Sequence, residues 1–517
     1  MTQPTKSTRQ TLPIHRFALI ITGLVLLGIA GQSAAQNVTF ERLIRADREP
    51  ANWMTYYGTY NGWRYSALNQ INTQNVGQLA VKWTRTIGEY QGLQVTPIVV
   101  DGIMYLTSAD NDVHAFNAAT GERLWRHAYS TTAQRQVMRN RGVAVAGDKV
   151  FMGTWDAYLV ALDAKTGKRL WRTRAGDYAA GHRFTSPPLI VKDKAIIGFG
   201  TMEYPTRGAI DAYDVNTGER LWRFHTIPEP GQAGHDSWDG ESWQYGCGPA
   251  WLPGTYDARL DLVYIGIGNP CPMYDGGPRS GDNLYTNAIV ALEPETGKLR
   301  WYFQSLPHDV WDYDAVNEPV LVDTVVGGRS VQSLLQAGKN GYFYVLDRTN
   351  GKFLRADPFV PRITWTTGLD ANGRPAIGNV PGQPPALICP SAFGGTSWNH
   401  MAYHPQTGYA YIPAADMCVW VVKARTFPRQ GQSYRGGRAI EMDAGSHGLL
   451  VAMDVATGQI KWQYQSPYPM FASVLTTAGG LVMTGDLEGN ALAFDAATGV
   501  RLWQFPTGDP HQGSPIS

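Results

Sequence analysis

The sequence predicts an all-β fold: an eight-bladed β-propeller of four-stranded antiparallel blades, each carrying a Trp-bearing hairpin, with the eighth blade incomplete at the C-terminus. The first observation behind this is a repeat. Ala115-Phe-Asn-Ala-Ala-Thr-Gly-Glu-Arg-Leu-Trp125 recurs at 161–171, 212–222, 291–301, 452–462 and 493–503, with a degenerate copy at 345–355. Each copy reads as a strand, a Thr-Gly turn in which glycine takes positive φ, and a return strand carrying Trp, which is a β-hairpin. The second is composition: 57 Gly, 32 Pro, 17 Trp and 26 Tyr with only 17% charged residues suit many short strands and tight turns rather than helices. The third is spacing. Successive copies start 46, 51, 79, 54, 107 and 41 residues apart, the scale of a supersecondary repeat. One twisted four-stranded sheet cannot bury both its faces alone, and radial stacking around a channel solves that.

Taken in order, residues 1–36 read as a signal peptide. Lys6, Arg9 and Arg16 precede an apolar run at 17–30, and Ser33-Ala34-Ala35 supplies small residues for cleavage after about Ala35. The run is too short for a stable membrane span. Residues 37–517 form the propeller domain, short at its C-terminus. Val81-Lys82-Trp83 looks like the closing strand of the eighth blade without its three partners. The segments 96–100 and 103–107 flank Asp101-Gly102 and open the first full unit, which makes each unit four antiparallel strands. Insertions precede the fourth and sixth copies, and these long connections are where function is expected. His404-Pro-Gln-Thr-Gly408 imitates the motif turn but no Trp follows, so 402–412 reads as an opening hairpin like 255–266. After Trp503 only Gly513-Ser-Pro-Ile-Ser517 resembles the start of a strand. Seven full units are visible, and an eighth lacking most of its strands should leave open sheet edges and lower stability.

A net charge of +1, with no run of like charge, gives no footprint for nucleic acid. The four cysteines, Cys247, Cys271, Cys389 and Cys418, are free to form disulfides in an exported chain. Their spacings make neither a CxxC zinc pattern nor a CxxCH haem site, so a haem-bearing electron partner would be a separate protein. The stretch richest in chemistry is Pro307-His-Asp-Val-Trp-Asp-Tyr-Asp314. If it is extended at Asp312, alternation puts Asp312 and Asp314 on one side, facing one cation or substrate. Solvated Asp-rich turns are also common between strands, so these eight residues by themselves leave both readings open.

From about Trp53 onward, the repeats and an ordered set of residues resemble the quinoprotein dehydrogenases, the pyrroloquinoline quinone (PQQ) enzymes of the methanol and ethanol dehydrogenase type. That resemblance implies an exported eight-bladed propeller with PQQ and a metal ion on its axis. The metal ligands it implies are Glu203 in Gly200-Thr-Met-Glu-Tyr, Asn269 in Gly268-Asn-Pro270, and Asp312, with Asp314 as the extra acid of the lanthanide-dependent members. Such hard oxygen donors suit calcium or a lanthanide rather than zinc. For PQQ the resemblance implies Arg141, Thr185, Glu203, Lys339 in Gly338-Lys-Asn-Gly341, Trp251 under the ring plane and Phe471 on its other side. A flat tricarboxylated quinone needs both cations and a π-face. Asp312 is implied as the catalytic base. Cys389 and Cys418 match a structural disulfide of methanol dehydrogenases, while Cys247 and Cys271, on what look like neighbouring strands, are candidates for a second bridge.

Three departures stand out: Arg135 and Gln136 replace adjacent cysteines of many relatives, Thr201 and Met202 replace small residues, and Ser397 replaces an Asn near the quinone. The function implied is periplasmic oxidation of alcohols to aldehydes, with electrons passed to a separate cytochrome c or quinone. Two alternatives stand beside it: a PQQ-dependent sugar or polyol dehydrogenase, and a non-catalytic propeller scaffold, since an outer-membrane assembly lipoprotein shares the repeat.

Overall fold

In every motif copy the outer strand pair shifts register at the same place, for example between Ala115 and Phe116, Ala212 and Tyr213, and Ala493 and Phe494. A repeated β-bulge of this kind adds twist and re-aims the return strand. The Asp that ends the first strand closes the turn through its carboxylate, which accepts backbone N–H groups two or three residues on, as Asp163 does from Thr166 and Asp495 from Thr498. The Thr-Gly glycine has a second reason to be there. A Cβ on Gly167 would lie 2.5 Å from the Trp125 ring, and Gly297 meets Trp222 and Gly499 meets Trp462 in the same way. The Trp of one blade thus lies on the turn of the next, and, Trp171 apart, its indole N–H donates into that turn: Trp125 to Ala164 O at 3.0 Å, Trp301 to Arg348 O at 3.1 Å, Trp462 to Ala496 O at 3.0 Å. In the degenerate copy Arg355 takes over, its Nη1 donating to Ala456 O at 2.7 Å.

The computed structural model describes Met1 and residues 37–88, 92–131, 133 and 139–517, so the signal-peptide reading of residues 1–36 and the Arg135–Gln136 departure lie outside the described residues. Gln36–Ser517 forms one unit. Seven four-stranded sheets follow in chain order over 98–127, 144–174, 189–225, 255–304, 320–358, 402–466 and 475–506, each an antiparallel meander of the four expected strands. The seventh gains Tyr65–Ser66 as a fifth strand, parallel to Leu475–Thr477. Between blades the strands bury continuous apolar rows, including Tyr105, Phe151, Tyr213, Tyr264, Tyr344 and Tyr411.

The eighth position differs from expectation. Residues 79–88 form no strand, and no strand among the described residues pairs with them, yet Trp83 still lies on the Gly121 turn and donates to Ala118 O at 3.1 Å. The tail spans the same gap: Ser473 N–H donates to Gly513 O at 3.1 Å and Ser514 N–H to Val95 O at 3.0 Å, joining the seventh blade to the first. Fully buried Arg64 braces it, donating to Val474 O at 2.8 Å and Pro515 O at 2.7 Å. Both insertions have structure of their own. The first holds three short 3-10 turns among the described residues, His235–Ser237, Ser242–Tyr245 and Gly277–Arg279; the second carries the hairpin Thr366–Leu369 with Pro375–Ile377 and the strand Ala386–Ile388 of a small three-stranded sheet. Among the described residues no helix is long and apolar enough to cross a membrane.

Candidate active site

Each blade offers two stations at one end of the propeller: the residues just before its first strand, and the connection between its second and third strands. Arg141, Thr185, Trp251, Asp312 and Asp314 precede first strands, while Glu203, Asn269 and Lys339 sit in second-to-third connections. All eight line one cavity of about 190 Å³, together with Thr201, Met202 and Ser397. Positions scattered over some 200 residues of sequence therefore meet at one place, as the paired-acid reading of 307–314 requires.

The route by which Asp312 gets there is not the one expected. Asp312 has φ +69° and is left-handed, not extended, so simple alternation does not place the two acids. Asp309 sets the conformation. Its buried carboxylate accepts Trp311 N–H at 2.8 Å and Tyr313 N–H at 2.9 Å, and Asn287 Nδ2 donates to it at 3.0 Å. Trp311 and Tyr313 then pack into an apolar cluster around Trp365, each ring 5.7 Å from it, and the intervening acids are left to the cavity.

Asp314 is held on both oxygens. Oδ1 accepts Asn269 N–H at 2.9 Å and Oδ2 accepts Lys339 Nζ at 2.8 Å. Lys339 also lies 3.4 Å from Asp312 Oδ1, its side chain 5% exposed. Burial works against its charge, but Asp312 and Asp314 outweigh that and keep the ammonium above its ordinary range. Burial pushes the Asp312 carboxyl well above the ordinary carboxylate range; Lys339 pulls it back, and Asp314 and Glu203 add to the rise. Glu203 is raised by burial too, against the pull of Arg435, whose Nη2 lies 3.3 Å from its carboxylate.

Arg141 donates to Thr185 Oγ1 at 2.9 Å, and its guanidinium stands 4.7 Å over the Trp251 ring. Burial lowers its pKa to about 10. Around this wall Arg141 Nε, Thr201 Oγ1 and Trp398 Nε1 are buried and have no hydrogen-bond partner among the described residues. Unpartnered buried donors beside an aromatic face fit a flat ligand rich in acceptor oxygens, which a tricarboxylated quinone is. The oxygen donors of Glu203, Asn269, Asp312 and Asp314, facing the same cavity, fit a hard cation. The shell is open: among the described residues no three acidic, imidazole or thiol groups converge on a closed metal cage, and Lys339 stands between Asp312 and Asp314.

Phe471 is placed differently from expectation. It packs behind the wall, 5.0 Å from the Trp398 ring and 6.0 Å from Phe393, and Trp398 lines the cavity in its place. Arg139 and Arg183 also line it and were not singled out from sequence. Both candidate disulfides are formed, Cys389–Cys418 and Cys247–Cys271, and no cysteine is free.

A family model described as "Glucose/ethanol/alcohol dehydrogenase, beta-propeller domain" matches residues 53–356, and one for an outer membrane protein assembly factor matches 418–517. The chain is 36% identical to a quinoprotein alcohol dehydrogenase of Pseudomonas putida, over 99% of this chain and 90% of that one. It is 34% identical to a lanthanide-dependent methanol dehydrogenase of Methylacidiphilum fumariolicum, over 95% and 88%. The solved structure of a europium-containing methanol dehydrogenase superposes with a TM-score of 0.86 at 34% identity, covering 92% of this chain and 89% of that one.

Proposed function

The chain belongs to the PQQ-dependent quinoprotein alcohol dehydrogenases, and from that premise we propose that it oxidises alcohols to aldehydes in the periplasm, using PQQ and a lanthanide ion in the cavity around Asp312, and passes the electrons to a separate cytochrome c. The single observation that carries the reading is the convergence of Glu203, Asn269, Asp312 and Asp314 on the cavity that also presents Arg141, Trp251 and Lys339.

Bound PQQ supplies a two-electron acceptor, chemistry that no side chain offers. Arg141 and Lys339 would meet its carboxylates and Trp251 its ring face, while Glu203, Asn269, Asp312 and Asp314 would hold the ion. Asp312 takes the hydroxyl proton of the alcohol onto its carboxylate. The burial that raises its basicity suits that task, and Lys339 at 3.4 Å orients the carboxylate while Asp309 fixes the backbone beneath it. Three carboxylates facing one cavity favour a trivalent over a divalent ion, because their mutual repulsion is more fully offset. Export rests on the basic, apolar and small-residue succession in residues 1–36; N-terminal sequencing of the periplasmic fraction should start near Gln36.

The test is reconstitution of metal-free protein with PQQ and either calcium or a light lanthanide, following bound-PQQ absorbance and turnover of a primary alcohol in wild type and Asp314→Ala. Calcium supporting equal turnover in the wild type, with no lanthanide advantage for Asp314→Ala to remove, refutes the lanthanide assignment. Failure to bind PQQ at all refutes the enzyme reading.

A further inference from the structure

The ligands assigned to the ion sit on loops with strained backbone. Met202 and Glu203 are both left-handed non-glycine residues, at φ +51° and +56°, and Cys247 is a third at φ +63°. Such conformations persist only where the surroundings over-determine them. Here the surroundings converge on one covalent bond. Cys247 N–H donates to Thr206 O at 2.9 Å and Cys247 O accepts Gly208 N–H at 2.6 Å, so the Cys247 backbone is stitched to the chain leaving Glu203. On the other side Cys271 stands two residues after Asn269, Cys271 N–H donates to Gly246 O at 3.0 Å, and Gly248 N–H donates to Asn269 O at 3.2 Å. The Cys247–Cys271 disulfide, spanning 5.3 Å between Cα atoms, locks these two strips together.

A third strip rests on the same bond. Tyr434 packs with the two cysteines in one buried cluster, and its N–H donates to Glu203 O at 2.7 Å. The next residue, Arg435, reaches the Glu203 carboxylate, and its own carbonyl accepts Tyr274 N–H at 2.7 Å. Glu203 is therefore gripped through its following chain, its carbonyl and its side chain, and each grip leads back to the Cys247–Cys271 region.

We propose that the Cys247–Cys271 disulfide is a positioning clamp for the cation site: it sets the separation of Glu203 and Asn269, and with it the affinity for the ion. The inference rests on the reading that these two residues hold the ion. Without the bond the 206–208 and 269–271 strips lose their covalent tie, and the hold on the left-handed conformation of Glu203 is weakened.

The test is terbium(III) titration of the metal-free full chain without PQQ, read as sensitised luminescence and excited-state lifetime, in wild type, Cys247→Ala/Cys271→Ala, Tyr434→Ala, Glu203→Gln and Asp257→Ala. Loss of a group that orients a ligand weakens metal binding by about 10–100-fold. The double cysteine variant should lose about tenfold or more and show a shortened lifetime as water enters the loosened shell. Asp257→Ala, which removes a buried ion pair with Arg348 remote from the cavity, should lower stability and leave both readings unchanged. If the double variant does not fold, Tyr434→Ala decides, with weaker binding supporting the clamp and unchanged binding overturning it. Affinity within about twofold of wild type in a folded double variant overturns the clamp alone, provided Glu203→Gln weakens binding. A wild type that binds no terbium, or a Glu203→Gln variant that binds as well, overturns the ion site itself and the clamp with it.

Discussion

Gly268→Ala tests the role of Asp314 without touching any acid. Gly268 does not have positive φ, so alanine meets no backbone penalty there, but its Cβ would lie 2.0 Å from Asp314 Oδ1 and 3.0 Å from the Pro249 ring. Something must yield. The Gly268 backbone is held on both sides, its N–H donating to Pro249 O at 2.6 Å and its carbonyl accepting Asn287 N–H at 3.1 Å, so the carboxylate is the part that moves. Restoring ordinary contact takes a withdrawal of about 1 Å or more. That carries Asp314 out of hydrogen-bond range of Asn269 N–H and Lys339 Nζ, now at 2.9 and 2.8 Å. Each is a buried bond to a charged group, worth about 1.5–3 kcal/mol. With the carboxylate displaced, cation affinity should fall about 10–100-fold, which is about 1.4–2.8 kcal/mol at 1.4 kcal/mol per decade. Terbium titration of the metal-free chain measures it, and turnover with calcium against lanthanide in the PQQ-loaded enzyme shows whether Gly268→Ala reproduces Asp314→Ala. Affinity within about twofold of wild type, with the lanthanide advantage intact, would show that Asp314 does not belong to the ion's shell.

Other outcomes follow from single contacts. Asp312→Asn should retain PQQ absorbance and fold but lose about 10²–10⁴ in turnover, the contribution of a typical general base; near-normal turnover would remove Asp312 from that role. Asp257→Ala removes the buried one of the two carboxylates that lie 2.7 Å from Arg348, leaving it Asp323, and should lower the denaturation midpoint at neutral pH by less than the about 3–5 kcal/mol of a fully unpaired buried charge. Burial tends to raise the Asp257 carboxyl, but Arg348 and the Leu260 and Arg259 N–H groups outweigh it and hold its pKa below the ordinary value. Its stabilisation is therefore present above about pH 4, the unfolded value, and is lost as pH falls through the folded value. The gap between wild type and variant should narrow in acid, and a gap that widens there would contradict the pair. Gly297→Ala puts a Cβ 2.5 Å from the Trp222 ring at a residue with φ +68°; it should lower the denaturation midpoint while leaving the specific activity of folded protein unchanged.

The blades were legible because one contact serves two purposes. Trp125 closes its own hairpin and also covers Gly167 of the next, so the spacing of Trp and Gly along the chain records the stacking of sheets in space. The site was legible only in part, and each miss has a local cause. Alternation at Asp312 presumed a strand, whereas the Asp309 carboxylate, by binding the N–H groups of Trp311 and Tyr313, turns Asp312 left-handed; a side chain bonding to backbone two and four residues on cannot be told from a solvated turn by spacing alone. Phe471 stands four residues before a first strand, as Thr185, Trp251 and Trp398 do, but the larger Trp398 indole packs against it and lines the cavity instead, a difference set by side-chain size and not by register. The Cys247–Cys271 bridge, a candidate from the sequence, is formed, but not between neighbouring strands: neither cysteine belongs to a strand, and an isolated bridge between Cys247 and Pro270 brings their segments together. These misses lie outside the repeated strands. A repeat whose Trp, Gly and Asp are already committed to packing has few side chains to spare, so the groups that differ from blade to blade, and with them the chemistry, fall in connections whose geometry the repeat does not encode.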